Sequence, residues 1–441
     1  MISWLRKPAL MFSAAMAVST ATPVMAHAQA DTATTTFDVN GLKVILRRNT
    51  ANDVVAANLY LLGGTQQLTP ATQGIEAFLL AASELGTKQF PKEAARKIVA
   101  QLGSTIVVAP REDWTMFGFT TVRSAFDSTW AVMADRIMQP TLDSADVELV
   151  RNRILNRIRL AANSPDPLVN RLADSLAYVG HPYGFDPEGN ESSLQSITLS
   201  ALRNYESSQM VTSRMLLVVV GNMDRGRLEP LVQKTLGTLQ KGSYTWSPPQ
   251  QPTQVGRALV VRDAQLPTNY LLGYYPGPSA RDPDYAALRI ATAVLSGRFF
   301  TEIRSRRNLS YEVEAPFVER AISNGGLYVT TTDPNQTLEL MHGEIDHLQR
   351  ELIDPNGLER LVQQFITDFF LKNETNGDQA TFLARAQIYQ GDYRAANRFV
   401  DDLRKVRPED VRRVARQYMH DFRFVYLGKS DALSRSLIAQ F

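Results

Sequence analysis

Two stretches about half a chain apart share one pattern, and that repetition constrains the fold more than any other feature. Residues 197–210 (I-T-L-S-A-L-R-N-Y-E-S-S-Q-M) lead into M-L-L-V-V-V-G-N-M-D, and residues 406–419 (V-R-P-E-D-V-R-R-V-A-R-Q-Y-M) lead into F-R-F-V-Y-L-G-K-S-D. Each reads as a capped amphipathic helix of one length, feeding an apolar strand that stops at Gly. The spacing of 209 residues from Ile197 to Val406 is too long for a solenoid repeat and suits a duplicated domain. The expectation is an α+β chain of two similar domains, each an antiparallel-rich sheet packed against helices.

The rest of the chain divides accordingly. Residues 36–48 read as two strands turning at Asn40-Gly41, a strong hairpin signal. A third strand follows at 54–63. Residues 74–86 (G-I-E-A-F-L-L-A-A-S-E-L-G) form a helix that is apolar on nearly every side, as a buried helix must be. A helix at 92–102, strands at 105–109 and 115–121, and helices at about 125–138 and 144–161 come next, Asp143 capping the last. The unbroken apolar run 216–220 suits a central strand. Residues 242–256, rich in Pro, Gln and Ser and without periodicity, read as a linker between domains at 31–241 and 257–441.

The chain opens M-I-S-W-L-R-K, continues through an apolar run and reaches Ala28-Gln29-Ala30. A basic start, an apolar middle and a small-x-small site make residues 1–30 a signal peptide, cleaved near Ala30. Its removal takes Arg6 and Lys7, lowering the formal charge from +2 to 0. A neutral exported chain has no global electrostatic case for nucleic-acid or membrane binding. There is no cysteine, so disulfides and thiolate metal sites are excluded, and about 410 residues must hold together by their cores.

Residues 297–313 (G-R-F-F-T-E-I-R-S-R-R-N-L-S-Y-E-V) concentrate the polar chemistry. Arg304, Arg306 and Arg307 crowd a helix end, Asn308 suits the left-handed residue that stops it, and 309–313 alternates like a strand. Arg304 and Tyr311 are thereby brought towards one point as hydrogen-bond donors. Other candidates read as structural. His342, Glu344, Asp346 and His347 share a helix whose mixed charge suits a solvated face, and His181 suits a locally bonded loop histidine. Asp113, near Ser104 and Thr115, has no histidine to complete a triad. Neither a G-x-S-x-G elbow nor a P-loop occurs.

Three blocks carry a family resemblance: H-P-Y-G at 181–184, V-V-V-G ending at Gly221, and the R-x6-Y spacing from Arg304 to Tyr311. The chain resembles a half-length member of the pitrilysin/insulinase (inverzincin) zinc peptidases over nearly all of its mature length. The resemblance implies that Arg304 and Tyr311 bind the substrate backbone near the scissile bond. It implies that the edge strand Ser104, Thr105, Ile106, Val107, Val108 and Ala109 adds the peptide as a further strand, although Pro110 equally suits an ordinary guarded edge. Active members carry H-x-x-E-H on the first helix. Here its two histidines are replaced by Ala77 and Ala81 and its glutamate by Leu80, while Arg157 falls at or near the distal glutamate ligand. Catalytic zinc needs about three lone-pair ligands, which these residues do not supply.

The resemblance therefore implies a subunit without its own cofactor, paired with a zinc-bearing H-x-x-E-H sibling in a periplasmic heterodimeric peptidase that degrades peptides. The alternatives are an inert peptide-binding or scaffold protein of the same fold and a lone peptidase with an unrecognised site.

Overall fold

Asn40 (φ 52°) and Gly41 (φ 87°) take the two left-handed positions of a tight hairpin turn, as Asn-Gly predicts. This is the first of many local expectations met in a computed structural model of the chain, which describes residues 33–253 and 256–441. The expected signal at 1–30, and residues 254–255 of the expected linker, lie outside the described residues.

The turn joins β1 (Thr34–Val39) to β2 (Leu42–Arg48). With β3 (Val54–Leu62), β4 (Thr105–Pro110), β5 (Trp114–Val122) and β6 (Met215–Gly221) they form a six-stranded sheet, in the order β1-β2-β6-β3-β5-β4. The second half supplies β7 (Ala258–Asp263), β8 (Asn269–Ser279), β9 (Ser310–Glu314), β10 (Phe317–Val318), β11 (Ile322–Thr331) and β12 (Arg423–Gly428). Their order is β10-β11-β8-β12-β7, with β9 also paired to β11. Pairing is antiparallel except β2 with β6 and β7 with β12, so the parallel pair recurs at the repeated strand of each half. Each of those strands is fed by its repeated helix, Leu199–Gln209 and Pro408–Tyr418. The duplication expected from the sequence is present in the topology.

β6 is apolar throughout because both of its faces are buried. Leu217 and Val219 pack with the helices of their own half. Leu216, Val218 and Val220 face the opposite way, onto Ala380, Leu383 and Ala384 of the helix Asn376–Gln390 from the second half. The first half reciprocates: Val169 and Ala173 of the helix Pro165–Ala177 cover Leu272, Val425 and Leu427 of the second sheet. Burying each such Val or Leu stabilises by about 1.5–3 kcal/mol. The exchanged helices thus bind the halves together through apolar area.

A buried polar cluster adds orientation. Arg320, between β10 and β11, pairs with Glu112 (2.8 Å) and Asp174 (2.9 Å) of the first half. Its guanidinium lies over Tyr178 and Tyr183 at 5.3 and 5.4 Å. Beside it, buried Asp113 accepts from the hydroxyls of Tyr183 and Tyr389 and from the N–H of Ala321. Burial raises the Asp113 pKa, and those three donors oppose the rise. Residues 240–253 contain no helix or strand.

Candidate functional site

The helix Asp284–Phe299 passes into a π-helical turn, Phe300–Ser305, before the chain reverses. Fully buried Phe299 and Ile303 anchor this segment. Asn308 takes the left-handed conformation (φ 53°), as expected for a terminating residue. β9 begins two residues later. Val313 pairs with Val329 and Ser310 with Thr331, so Tyr311 and Glu312 together oppose Thr330 alone. That extra residue is a β-bulge, a device that re-aims a side chain. Both bulged residues are exposed, and Tyr311 is 81% exposed.

Arg304 and Tyr311 come together, in stacked rather than side-by-side form. The Arg304 guanidinium carbon lies 5.1 Å from the Tyr311 ring centroid and 5.2 Å from that of Phe300, within cation–π range of both. Arg306 and Arg307 both pair with Glu302. Among the described residues no carboxylate pairs with Arg304, so one cation of the three stays free while held by rings. Phe300 went unnoticed in the sequence, although its i,i+4 spacing to Arg304 is the signal that would have found it.

The other expected positions lie on a different part of the fold. Ala77, Leu80 and Ala81 sit on the helix Ile75–Ala82, with Ala77 and Leu80 buried. Arg157 is on the helix Ser144–Ala162, whose Ile154 and Ile158 share a core with Leu80. Its guanidinium reaches Glu188 at 3.2 Å. Two methyls, an isobutyl group and a paired guanidinium offer zinc no lone pair, so the residues present do not fit the metal of active relatives. The one acid of the helix, Glu76, is committed elsewhere: it lies 2.7 Å from the buried Arg214 and accepts from Tyr205 at 3.0 Å. No hydrogen bond, ion pair or ring contact among the described residues links this helix to the Arg304–Tyr311 pair.

β4 is an edge strand, as expected, with its β5 side paired and Thr105 and Val107 exposed. Ile106, Val108 and Ala109 are half-buried. One detail differs from the sequence reading. Ser104 precedes the strand, and its hydroxyl bonds Thr121 (2.8 Å) and Thr129 (2.7 Å). Pro110 is the last residue of the strand, pairing with Thr115 at the hairpin end where its missing N–H is tolerated.

His181 and His342 are committed to local contacts. His181 Nδ1 accepts from the N–H of Tyr183 (3.1 Å), and Nε2 lies 2.9 Å from the Gln250 carbonyl, to which it must donate. The ring is thus a neutral Nε2–H tautomer without a spare base, and burial lowers its pKa. His342 packs edge-on to Phe441, Glu344 meets Arg298, and Asp346 pairs with Arg350, so that helix forms no ligand set. Among the described residues no group of three or more acids or histidines is placed to hold a metal.

A duplicated α+β fold whose first helix offers no metal ligand at Ala77, Leu80 or Ala81, while the second half presents an Arg–Tyr pair, matches an inactive-domain architecture of the inverzincin class. The chain belongs to the insulinase (M16) peptidase family. Residues 43–186 match the family model described as "Insulinase (Peptidase family M16)", and residues 196–365 that described as "Peptidase M16 inactive domain". It is similar to the protein named uncharacterized zinc protease YmxG of Bacillus subtilis, 21% identical over 399 residues, 89% of this chain and 97% of the relative. The solved peptidase M16 inactive domain from Pseudomonas fluorescens superposes with a TM-score of 0.83 at 18% identity, covering 90% of this chain and 98% of that one. The periplasmic protease PqqL of Escherichia coli superposes with a TM-score of 0.75 at 15% identity. The match covers 90% of this chain and 46% of PqqL, so the chain spans about half of that protein.

Proposed function

We propose that this chain is the non-metal subunit of a periplasmic heterodimeric zinc peptidase, lending Arg304 and Tyr311 to the active site of an H-x-x-E-H sibling that cleaves peptides. The observation that carries this reading is the free, ring-held Arg304 beside a Tyr311 that is 81% exposed. The similarity to a periplasmic protease twice this length, and the signal-like residues 1–30, support export and pairing.

The zinc and its activated water belong to the partner. This chain's residues bind and orient. The β4 edge offers main-chain groups that an extended peptide can pair with whatever its sequence. Tyr311 and Arg304 then donate to the scissile carbonyl oxygen as negative charge develops there. Removing one such pre-positioned donor typically costs about 2.7–4 kcal/mol of transition-state stabilisation. Because Phe300 and Tyr311 already hold the guanidinium, little reorganisation is needed at the moment of reaction.

Reconstitution tests the pairing. The chain is purified alone, mixed with its zinc-bearing sibling, and assayed on an internally quenched peptide, with zinc counted by metal analysis. The expected result is an inactive isolated chain, an active mixture and one zinc per pair. A mixture no faster than the sibling alone, or no complex on size exclusion, would count against the subunit reading.

A further inference from the structure

A cleft of about 890 Å³ opens at the N-terminal end of the helix Asp284–Phe299, the end remote from Arg304. At 1.5 Å per residue, this 16-residue helix separates the two places by about 24 Å. The apolar wall of the cleft consists of Phe365, Phe369, Phe382 and Phe399, all half-buried. Phe369 lies 4.7 Å from Phe382 and 4.8 Å from Phe399, ring centre to ring centre. Phe382 and Phe399 also meet, 5.6 Å apart, so the three rings pack on one another into a continuous apolar wall.

The charged side chains lining the cleft balance, seven basic against seven acidic, but at the polar end two cations meet one anion. Arg289 and Arg385 both pair with the single carboxylate of Glu319. Arg289 is held 5.0 Å from the Phe365 and Phe399 centroids, which fixes it to the wall. The Nε of Arg385 is buried and has no acceptor. Two pairs of opposite charge also line the cleft: Arg413 lies 2.7 Å from Asp284, and Lys405 lies 2.9 Å from Asp402. Two guanidinium groups thus face one carboxylate beside an aromatic wall, and the Arg385 side chain stays 39% exposed.

We propose that this cleft binds the C-terminal end of a peptide whose last residue is aromatic or large and apolar, the side chain lying on the phenylalanine wall and the terminal carboxylate meeting Arg385. Guanidinium and carboxylate are matched in charge and in planar geometry. The cleft volume lies within the usual range for ligand sites, about 300–1,000 Å³. Charges of both signs at the mouth suit the amide groups of a peptide and not the hydrocarbon of a fatty acid. The site would retain products or select substrates by their ends, and it does not depend on the role of Arg304 and Tyr311.

The test is calorimetric titration of the unaltered, full-length purified chain, with no turnover involved. The probes are acetyl-Ala-Ala-Phe with a free carboxylate, the same peptide as its C-terminal amide, and decanoate. The free acid should bind, with the amide at least tenfold weaker. Arg385→Met should reduce the acid to the level of the amide, and Arg385→Lys should recover part of the difference. Equal binding of acid and amide, tighter binding of decanoate than of the peptide acid, or no heat from the acid at millimolar concentration would overturn the proposal.

Discussion

Replacing Arg320 by Met tests how the two halves are held in register. Arg320 is 5% exposed and lies on the same connection that runs from β9, with Tyr311, into β11. Its loss leaves Glu112 and Asp174 facing each other with side chains only 18% and 28% exposed. Breaking a buried ion pair from one side costs about 3–5 kcal/mol, because a charge stays buried without compensation. Both acids retain some access to water, so the lower end, about 3 kcal/mol, applies. At roughly 2–4 °C per kcal/mol for domains of 150–250 residues, the melting midpoint should fall by about 6–12 °C. Scanning calorimetry with urea titration measures this. The deficit should shrink as pH falls and the stranded carboxylates take up protons. Combining Arg320→Met with Glu112→Gln should recover part of the loss, since the two residues are coupled. A loss below 1 kcal/mol, or strictly additive losses in the double variant, would refute the claim that this cluster fixes the halves.

Burial pushes the Asp186 carboxyl up to about 6. Its native pKa exceeds its unfolded one, so the folded state holds the extra proton; stability is highest below about pH 4 and declines as pH rises towards 6. Asp186→Asn keeps the acceptor used by the N–H of Glu188 (2.9 Å) and should be more stable than the parent at pH 7, with no advantage at pH 4. Urea unfolding at both pH values checks this. Glu76→Ala leaves the guanidinium of Arg214 buried and unpaired and should cost about 3–5 kcal/mol, far more than an exposed substitution such as Glu374→Ala. Added zinc at 100 µM should not shift the melting midpoint of the isolated chain, since a ligand stabilises only a fold that binds it; a saturable rise at one equivalent would contradict the loss of the ligands.

The legible parts of the sequence were those with a local physical signal. Asn40-Gly41 needs two left-handed residues, the run of β6 needs two buried faces, and Asp143 caps its helix by accepting from Ala145. The duplication was legible because helix and strand repeat in one order at one spacing. Within the site, the proximity of Arg304 to Tyr311 followed from helix, break and strand. Their stacking did not, because the π-helical turn and the bulge at Tyr311-Glu312 each insert one residue that no periodicity reports. The exchanged helices and the Arg320 cluster were hidden for a different reason. Their partners lie at least 99 residues apart (Ala173 to Leu272), and Arg320 lies 146 and 208 residues from Asp174 and Glu112, so nothing in either segment names the other.

The central claim is that two donors on this chain act at a metal held by another. The most direct measurement is kcat/KM of the reconstituted pair with Tyr311→Phe and Arg304→Ala, each compared with the unaltered chain at equal complex formation. About 10²–10³-fold loss for Tyr311→Phe, with zinc content unchanged, is predicted. Turnover within twofold of the unaltered pair for both variants would contradict the account.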